Sequence, residues 1–473
     1  MAKKSGLTRR QFLHMAVVSA AGTFLAACAQ PAPVQAPEPT SAQAEAASQA
    51  TEAPQPTTAP TVAPKTAVTI SYWTPGEELG GQQPVIDKFE KDTGNKIDHT
   101  YVPLTAGTQA SEKLMASIAG GEPPDVAYFD RFLVASWAAR DALTNITPLA
   151  ERDGVKQEDF LPHTWKEAVY CSKLYALPTT TDARALFYNR AHFKDAGLDP
   201  AKGPQSWNDL DALQDTLTQG NAKDGYKRIG TIPWYPWLEW MLYIWAMTNE
   251  GVDVWDFDKK KSTMNTEPWL EAANWMIKYA KNYQVGAIDA FGSQFGDNAQ
   301  DPFGNGLISI MQHGNWMLGS YDQYFPDLDY DVVAMPGPTS ATGRNLAGGW
   351  SVIVPKGAKH LEEGWSWAKY YTSEEAQYML FRDNPKELLT SEVPTRMKVA
   401  KDPKAYYAIH PKAKAFVDTL EKQYIRPPIP EAQLLFEELG KASDLIVHLK
   451  ADPKEALDGV AAKVDDAMAK WSC

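Results

Sequence analysis

The sequence lacks the short linear motifs that identify many enzymes. It contains no Gly-x-Ser-x-Gly, no His-Glu-x-x-His and no phosphate-binding loop, and its eight histidines are scattered along the chain. These absences leave a serine hydrolase, a zinc protease and a phosphate-loop enzyme without support. A site made of two carboxylates leaves no linear motif, so an enzyme of that kind stays open.

Basic residues are also in short supply. The 46 lysines and arginines are outnumbered by 59 aspartates and glutamates, which gives a formal net charge of −13. An acidic surface repels phosphate backbones and anionic lipid headgroups, and this argues against nucleic acid as a partner. The segment before Cys28 contains four basic residues and no acidic one, so a chain processed there would be more acidic still.

Residues 1–27 are typical of an export signal. Two lysines precede Thr8-Arg9-Arg10-Gln11-Phe12-Leu13, and an apolar run then leads to Leu25-Ala26-Ala27-Cys28. The arginine pair resembles a twin-arginine signal, and the final four residues resemble the bacterial lipoprotein processing box, so we expect Cys28 to be lipidated. The apolar run is shorter than the ~20 residues that span a bilayer, which argues against an uncleaved anchor.

Residues 28–67 are expected to form a disordered tether behind the lipidated cysteine. The stretch is rich in Pro, Ala and Thr, and Val34 and Val62 are its only larger aliphatic residues, so it cannot bury enough apolar surface to fold. Of the three cysteines in the chain, Cys171 and Cys473 would then remain. They could form a disulfide in an oxidising compartment or stay as separate thiols, and the sequence favours neither.

From residue 68 onward, strand and helix patterns alternate. Residues 68–73, 97–102 and 125–129 have strand character, whereas 84–91 and 111–119 have apolar residues at helical spacing. This order predicts parallel strands joined by right-handed crossovers, with ligands bound beyond the carboxyl ends of the strands. A chain of 473 residues exceeds what one core usually serves, so two α/β lobes are expected.

Further elements are predicted along the rest of the chain. They are a helix with Ser206 as its N-cap, a helix with Pro268 in its first turn, a strand at 349–354 and helices at 361–371 and 452–471. Asp253, Asp256 and Asp258 resemble a calcium loop, but their spacing does not fit one, so a solvated turn is predicted. No metal and no cofactor are expected.

Several short segments occur in an order that identifies a family. They are Tyr72-Trp73-Thr74-Pro75-Gly76, Ile118-Ala119-Gly120-Gly121, Pro124-Asp125-Val126, Leu143-Thr144-Asn145-Ile146-Thr147-Pro148-Leu149, Lys173-Leu174-Tyr175-Ala176-Leu177-Pro178, Leu186-Phe187-Tyr188-Asn189-Arg190 and Gly348-Gly349-Trp350. Together they make residues 68–473 resemble the family 1 extracellular solute-binding proteins of ABC importers.

The resemblance implies a two-lobed α/β fold, the type II periplasmic-binding-protein or Venus-flytrap fold, whose lobes close on a ligand around a hinge. Each lobe is expected to be discontinuous in the chain. The first would comprise residues 68–181 and 349–390, and the second residues 188–345 and 396–473.

A carbohydrate is the expected ligand, because sugars offer hydroxyls to carboxylates and arginine and flat C–H faces to aromatic rings. The chain contains 16 tryptophans, which suits an aromatic-lined pocket. The candidate ligand-binding residues are Trp73, Asp130, Arg131, Asp182, Trp234, Trp237, Trp240, Trp316, Trp350 and Phe436. Glu77 and Glu78 are weaker candidates, and Arg184 could equally be part of a structural ion pair.

Some of these assignments follow from matches to sugar-binding members of the family. Asp130-Arg131 matches a pair that bonds sugar hydroxyls, although a surface ion pair is the alternative. Asp182 stands where the family has a longer ligand-binding carboxylate. Trp316 and Phe436 match stacking aromatics, with phenylalanine replacing tryptophan at the second. For the crowded segment 234–240, packing in the core is the alternative.

The expected function is therefore capture of a sugar outside the cytoplasm and its delivery, unchanged, to the permease subunits of an ABC importer. A monomer held to the membrane only by its lipid is expected. One alternative is a lipid-anchored glycoside hydrolase or lyase. Another is a receptor for a polyamine, which would need several carboxylates, or for a glycerol phosphate ester, which would need more arginine and lysine.

Overall fold

The computed structural model describes residues 66–75, 81–102, 109–250, 252–383, 392–402, 404–405 and 411–473. The predicted export signal, the lipidation site Cys28, the tether up to residue 65, and Glu77 and Glu78 lie outside these residues.

Short strands run through the whole described chain. They are β1 Thr69–Pro75, β2 Lys96–Val102, β3 Val126–Asp130, β4 Val169–Tyr170, β5 Lys173–Leu174, β6 Ala176–Pro178, β7 Thr180–Thr181, β8 Arg184–Asn189, β9 Gln219–Asn221, β10 Gly225–Arg228, β11 Trp255–Asp256, β12 Lys261–Ser262, β13 Ile310–Gly314, β14 Tyr330–Ala334, β15 Asn345–Ala347, β16 Trp350–Ile353, β17 Val393–Pro394 and β18 Gln423–Ile425.

Helices are interleaved with these strands. They are α1 Gln83–Thr93, α2 Gln109–Ala119, α3 Val134–Ala139, α4 Thr147–Arg152, α5 Pro162–Ala168, α6 Arg190–Asp195, α7 Trp207–Leu217, α8 Leu238–Glu250, α9 Glu267–Asn282, α10 Val285–Gly292, α11 Met317–Tyr324, α12 Leu361–Tyr371, α13 Glu374–Tyr378, α14 Met397–Ala400, α15 Lys414–Val417, α16 Ala432–Val447 and α17 Pro453–Met468. Within the described part of the chain, no helix has both the length and the apolar character needed to cross a membrane.

The first core is built on a five-stranded sheet with the order β2-β1-β3-β16-β6. Its buried apolar residues come from 70–177 and 352–381. β1 pairs in parallel with β2 and β3, as the alternating pattern predicted. β16, the predicted strand at 349–354, is antiparallel to both β3 and β6. β16 comes from a distant part of the chain and is not joined to its neighbours by a crossover helix. The expectation that strands joined by crossovers run parallel therefore does not apply to it.

The second core surrounds the antiparallel sheet β13-β8-β14. Its buried apolar residues come from 183–346 and 393–464, together with Leu161. Helices α8, α9, α16 and α17 pack on one another here. Residues 241–247 of α8 are all buried, which makes α8 an enclosed helix, whereas α9 and α16 each bury one stripe of residues at three- and four-residue spacing.

Helix boundaries agree with the signals read from the sequence. The Ser206 hydroxyl accepts a hydrogen bond from the backbone N–H of Asp209 at 3.0 Å, and Pro268 lies in the first turn of α9. The predicted helix at 452–471 is α17, capped by the Asp452 carboxylate. The Asp256 carboxylate accepts from the backbone N–H groups of Asp258 and Lys259 in a turn between β11 and β12, as predicted for that segment.

Two described segments pass between the two cores, within 177–183 and within 346–352. Later in the chain, Phe381 belongs to the first core and Val393 to the second. Strands β7 and β17 pair beside these crossings. A disulfide between Cys171 and Cys473 links the β4–β5 turn to the end of the chain that follows α17. The lobe limits predicted from the sequence lie near these crossings and remain our proposal for where the lobes divide.

Candidate functional site

A cavity of about 920 Å³ lies between the two cores. The ends of β1 and β3, the start of β16 and part of α2 contribute its wall on the first core. Trp240 of α8 and one face of α16 contribute the opposite wall. On α16 the lining residues are Gln433, Phe436, Glu437 and Gly440, a spacing that places all four on the same side of a helix. The cavity therefore lies beyond the carboxyl ends of the parallel strands, where such sheets bind ligands.

Five of the candidate residues line this cavity. They are Trp73, Asp130, Trp240, Trp350 and Phe436. They come from β1, β3, α8, β16 and α16, so residues separated by more than three hundred positions in the chain meet at one place. Their roles as ligand contacts stay predictions.

Aromatic rings from both cores meet around the cavity. The Trp240 and Phe436 ring centroids are 3.9 Å apart, and Phe132, which follows β3 and packs against the second core, lies 5.0 Å from Phe436 and 5.7 Å from Trp240. On the first core, Tyr128 and Trp350 stack with centroids 5.4 Å apart. Phe132 and Tyr128 were not among the predicted residues, although both lie within two positions of Asp130.

The charged residues that line the cavity are all acidic. They are Glu112, Asp130 and Glu437, and the described lining residues include no lysine or arginine. Glu112 and Glu437 are exposed to solvent, on α2 and α16 respectively. The cavity therefore combines apolar rings with hydrogen-bond acceptors.

Asp130 is held by a network of buried charges. Its carboxylate pairs with Arg426, with Nη2 to Oδ1 at 2.7 Å and Nη1 to Oδ2 at 3.1 Å. Arg426 Nε lies 3.4 Å from the Glu167 carboxylate, which also accepts from Arg131 Nε at 2.9 Å. Glu167, Arg131 and Arg426 are all buried. Sequence reasoning missed Glu167 and Arg426.

Arg131 lies outside the cavity lining, and its guanidinium is directed to the crossing segments. It donates to the backbone carbonyls of Thr180, Gly348 and Trp350, the last at 3.1 Å. Gly349 between them has φ +119°, and a Cβ there would collide with the Thr180 carbonyl and the Arg131 guanidinium. The Gly348-Gly349 pair thus leaves room for a buried arginine. A direct ligand contact by Arg131 stays a prediction.

A second group of candidates surrounds Arg184, outside the cavity lining. Arg184 pairs with Asp182, and its guanidinium carbon lies 5.1 Å from the Trp316 ring centroid and 6.0 Å from that of Trp237. The Asp182 carboxylate also accepts from the backbone N–H of Gly348 at 2.5 Å. Asp182 therefore joins β8 to a crossing segment. Trp234, the remaining candidate, is buried in the second core. Ligand roles for Asp182, Trp234, Trp237 and Trp316 stay predictions.

His313 packs beside this group as a neutral ring. Its centroid lies 4.7 Å from the Trp237 ring, and its Nδ1 accepts from the backbone N–H of Gly314 at 2.9 Å. Burial lowers the pKa of His313 to about 3, and the charge of Arg184 adds to this. The pKa of His163, buried beside Thr181 near Arg131, is likewise lowered to about 3 by burial.

These two histidines are expected to make the fold sensitive to acid. Between pH 6.5 and about 3 the unfolded chain binds protons that the folded chain does not. The free energy of unfolding should therefore fall by about 1.4 kcal/mol per pH unit for each histidine as the pH drops through this window. Urea unfolding at pH 7, 6, 5 and 4 measures this slope. His313→Asn, which keeps an acceptor near Nδ1, should make the slope shallower, and an unchanged slope would contradict the assignment.

A second cavity, of about 730 Å³, also lies between elements of both cores. Its lining includes Trp165 and Lys166 from the first part of the chain and Trp255, Tyr424 and Pro427 from the later part. None of the ten candidate ligand-binding residues lines it.

Two α/β cores with a ring-lined cavity between them define a solute-binding protein rather than a single-core α/β domain. The model of the bacterial extracellular solute-binding protein family matches residues 76–378, and the chain belongs to this family. Membership implies a location outside the cytoplasm.

Known proteins agree with this assignment. The multiple sugar-binding protein of Streptococcus mutans is 22% identical over 316 residues, 65% of this chain and 72% of its own. The sn-glycerol-3-phosphate-binding periplasmic protein of Escherichia coli K12 is 25% identical over 314 residues, 62% of this chain and 67% of its own. The mannobiose-bound structure of CpMnBP1 superposes with a TM-score of 0.72 at 21% identity, over 84% of this chain and all of that one. The predicted family and the two-lobed α/β fold are thus confirmed.

Proposed function

We propose that the protein captures a carbohydrate in the 920 Å³ cavity and delivers it unchanged to the permease of an ABC importer. The observation that carries this proposal is the meeting of aromatic rings from both cores around acidic side chains. Rings accept the C–H faces of a sugar, and carboxylates accept its hydroxyl protons. The relative from Streptococcus mutans, a multiple sugar-binding protein, supports the same ligand class.

The charges of the lining argue against a phosphate ester. The relative from Escherichia coli K12 that is named for binding sn-glycerol 3-phosphate makes such an ester a candidate to be tested. A phosphate dianion needs cationic partners, whereas Glu112, Asp130 and Glu437 are the charged residues of this lining in the described part of the chain. We therefore expect sn-glycerol 3-phosphate to bind much more weakly than a neutral sugar.

A cationic polyamine is the second candidate, because the same carboxylates would attract it. Asp130 is already neutralised by Arg426, which leaves Glu112 and Glu437. Both are exposed, where a single ion pair contributes little affinity. The aromatic rings outnumber these carboxylates, and this favours the sugar.

The transport cycle that we propose is closure of two lobes on the ligand. A sugar that touches Trp350 on one side and Phe436 on the other stabilises the closed arrangement by its extra contacts there. Lipidation at Cys28 and a tether would keep a monomeric receptor near the permease while leaving the lobes free to move.

A thermal-shift panel tests the proposed ligand class. The full chain carrying Cys28→Ala would be screened with neutral mono- and oligosaccharides, spermidine and sn-glycerol 3-phosphate. A sugar at 100 times its dissociation constant should add about 2.7 kcal/mol to the free energy of unfolding. Shifts with spermidine or glycerol phosphate alone would overturn the proposal. Each hit would then be incubated with the protein and analysed for chemical change of the sugar. Such a change would indicate an enzyme rather than a transport receptor.

A further inference from the structure

Arg426 connects the two cores at the edge of the cavity. It follows β18, which pairs with β15 beside the second core. Its guanidinium nevertheless binds two carboxylates on the side of the first core, Asp130 at the end of β3 and Glu167 in α5. The Arg426 side chain is only 8% exposed, so solvent screens this ion pair much less than it would a surface pair.

The contacts of Arg426 fix the orientation of Asp130. Arg426 Nη1 donates to Oδ2 at 3.1 Å, Arg426 Nη2 lies against Oδ1 at 2.7 Å as an ion-pair contact, and the backbone N–H of Phe132 donates to Oδ1 at 3.0 Å. A carboxylate has about four acceptor positions, so about one remains. The Asp130 side chain is 35% exposed and lines the cavity, which leaves that position for a ligand hydroxyl.

The same network continues to the crossing segments. Glu167 accepts from both Arg426 and Arg131, and Arg131 donates to the carbonyls of Thr180 and Gly348. Two carboxylates and two guanidinium groups balance in charge, as a buried network requires. A continuous series of ion pairs and hydrogen bonds thus connects Asp130 to the crossing segments, about which the lobes would turn.

The rings around Arg426 favour a guanidinium at this position. The Arg426 guanidinium carbon lies 5.1 Å from the Phe132 ring centroid and 5.9 Å from that of Trp240. A planar guanidinium can lie against rings while its two terminal nitrogens contact both oxygens of a carboxylate, and a lysine ammonium, which is a compact point charge, cannot make that contact.

We propose that Arg426 is a positioning residue for ligand binding: it orients Asp130 toward the cavity and holds the two lobes together through Asp130 and Glu167. This inference rests on the proposed function of the cavity. It adds that part of the affinity for the sugar comes from a residue that does not line the cavity.

A double-mutant cycle tests whether Arg426 orients Asp130 for ligand binding. Arg426→Gln is expected to weaken binding of the best sugar by about 10- to 100-fold, and Asp130→Asn by a similar factor. Because both changes disrupt one unit, the double variant should bind about as weakly as Asp130→Asn alone. Arg426→Lys, which keeps the charge but loses the planar contact with both oxygens of Asp130, should recover only part of the affinity. Independent losses that multiply in the double variant would overturn the positioning role.

The shape of the ligand-free protein tests whether Arg426 holds the two lobes together. Small-angle scattering of Arg426→Gln without sugar should show a larger radius of gyration than the parent protein. Arg140→Gln is the matched control, since Arg140 also links the halves, to Glu431 at 3.2 Å, but is 40% exposed. It should change affinity by less than about twofold. An unchanged radius in Arg426→Gln would refute the link between lobes. If the parent protein binds no sugar, the proposed function fails, whereas the scattering result still tests this link.

Discussion

Replacing Trp350 by alanine is expected to weaken sugar binding by about 30-fold or more. Trp350 opens β16 directly after Gly349, pairs across the sheet with Asp130 and stacks on Tyr128. Its ring is part of the cavity wall and is already held by the stack, so little side-chain freedom is lost when a sugar covers it. Removal of a central, pre-ordered aromatic residue typically costs about 2 kcal/mol or more of binding free energy. Isothermal titration with the best sugar from the panel measures this loss.

Trp165→Ala is the matched control for Trp350→Ala. Trp165 is a partly exposed tryptophan of the same half of the chain, but it lines the second cavity. Sugar affinity should therefore remain within about twofold of the parent protein, because no ligand contact is lost. The reverse result, with Trp165→Ala impaired and Trp350→Ala unaffected, would move the sugar site to the second cavity.

Local sequence patterns were enough to predict residues of the cavity wall on the first core. The pattern of strand, helix and strand predicted that Trp73 and Asp130 lie near the carboxyl ends of neighbouring strands, and both line the cavity. Phe436 needed the family resemblance, and Trp240 needed it together with the crowding of aromatic residues in 234–240, since each lies on a helix of the second core where a buried aromatic residue is ordinary. The inclusion of Phe436 depends on the order of the landmarks and not on local periodicity.

Local sequence patterns could not show which of the two adjacent residues, Asp130 or Arg131, faces the cavity. Adjacent residues at the end of a strand point in opposite directions, so one faces the cavity and the other faces the crossing segments. Whether the arginine finds a partner depends on Glu167, 36 positions away, and Arg426 lies 296 positions from Asp130. No periodicity in the sequence reports contacts over such separations. The Gly348-Gly349 pair was a local signal of close packing, but it did not identify the side chain packed there.

The sequence also left the pairing of Cys171 with Cys473 open, because separation along the chain says nothing about distance in space. The structure joins them in a disulfide. Two features hold the end of the chain in the same region: Trp471 Nε1 donates to Glu431 at 2.8 Å, and the Arg140 guanidinium lies 5.2 Å from the Trp471 ring centroid. The C-terminal segment is thus held against the first part of the chain by bonded and nonbonded contacts together.

Cys473→Ser is expected to lower the free energy of unfolding by about 2 to 5 kcal/mol. The disulfide joins residues 302 positions apart, so it closes a loop that contains nearly all of the second core and the later part of the first core. Because the bond restricts the unfolded chain, its loss should lower stability even though Cys473 is exposed at the chain end. Guanidinium unfolding of the Cys28→Ala chain, with and without Cys473→Ser, measures the difference under non-reducing conditions.

Reduction provides the control for the cysteine substitution. Dithiothreitol should lower the stability of the parent protein to that of Cys473→Ser and leave the variant itself unchanged. Thiol titration in denaturant should find no free thiol in the oxidised Cys28→Ala chain, because Cys171 and Cys473 are its two cysteines and are joined. If two free thiols are titrated, or if the variant is as stable as the parent, then nonbonded contacts such as that of Trp471 with Glu431 hold the chain end by themselves.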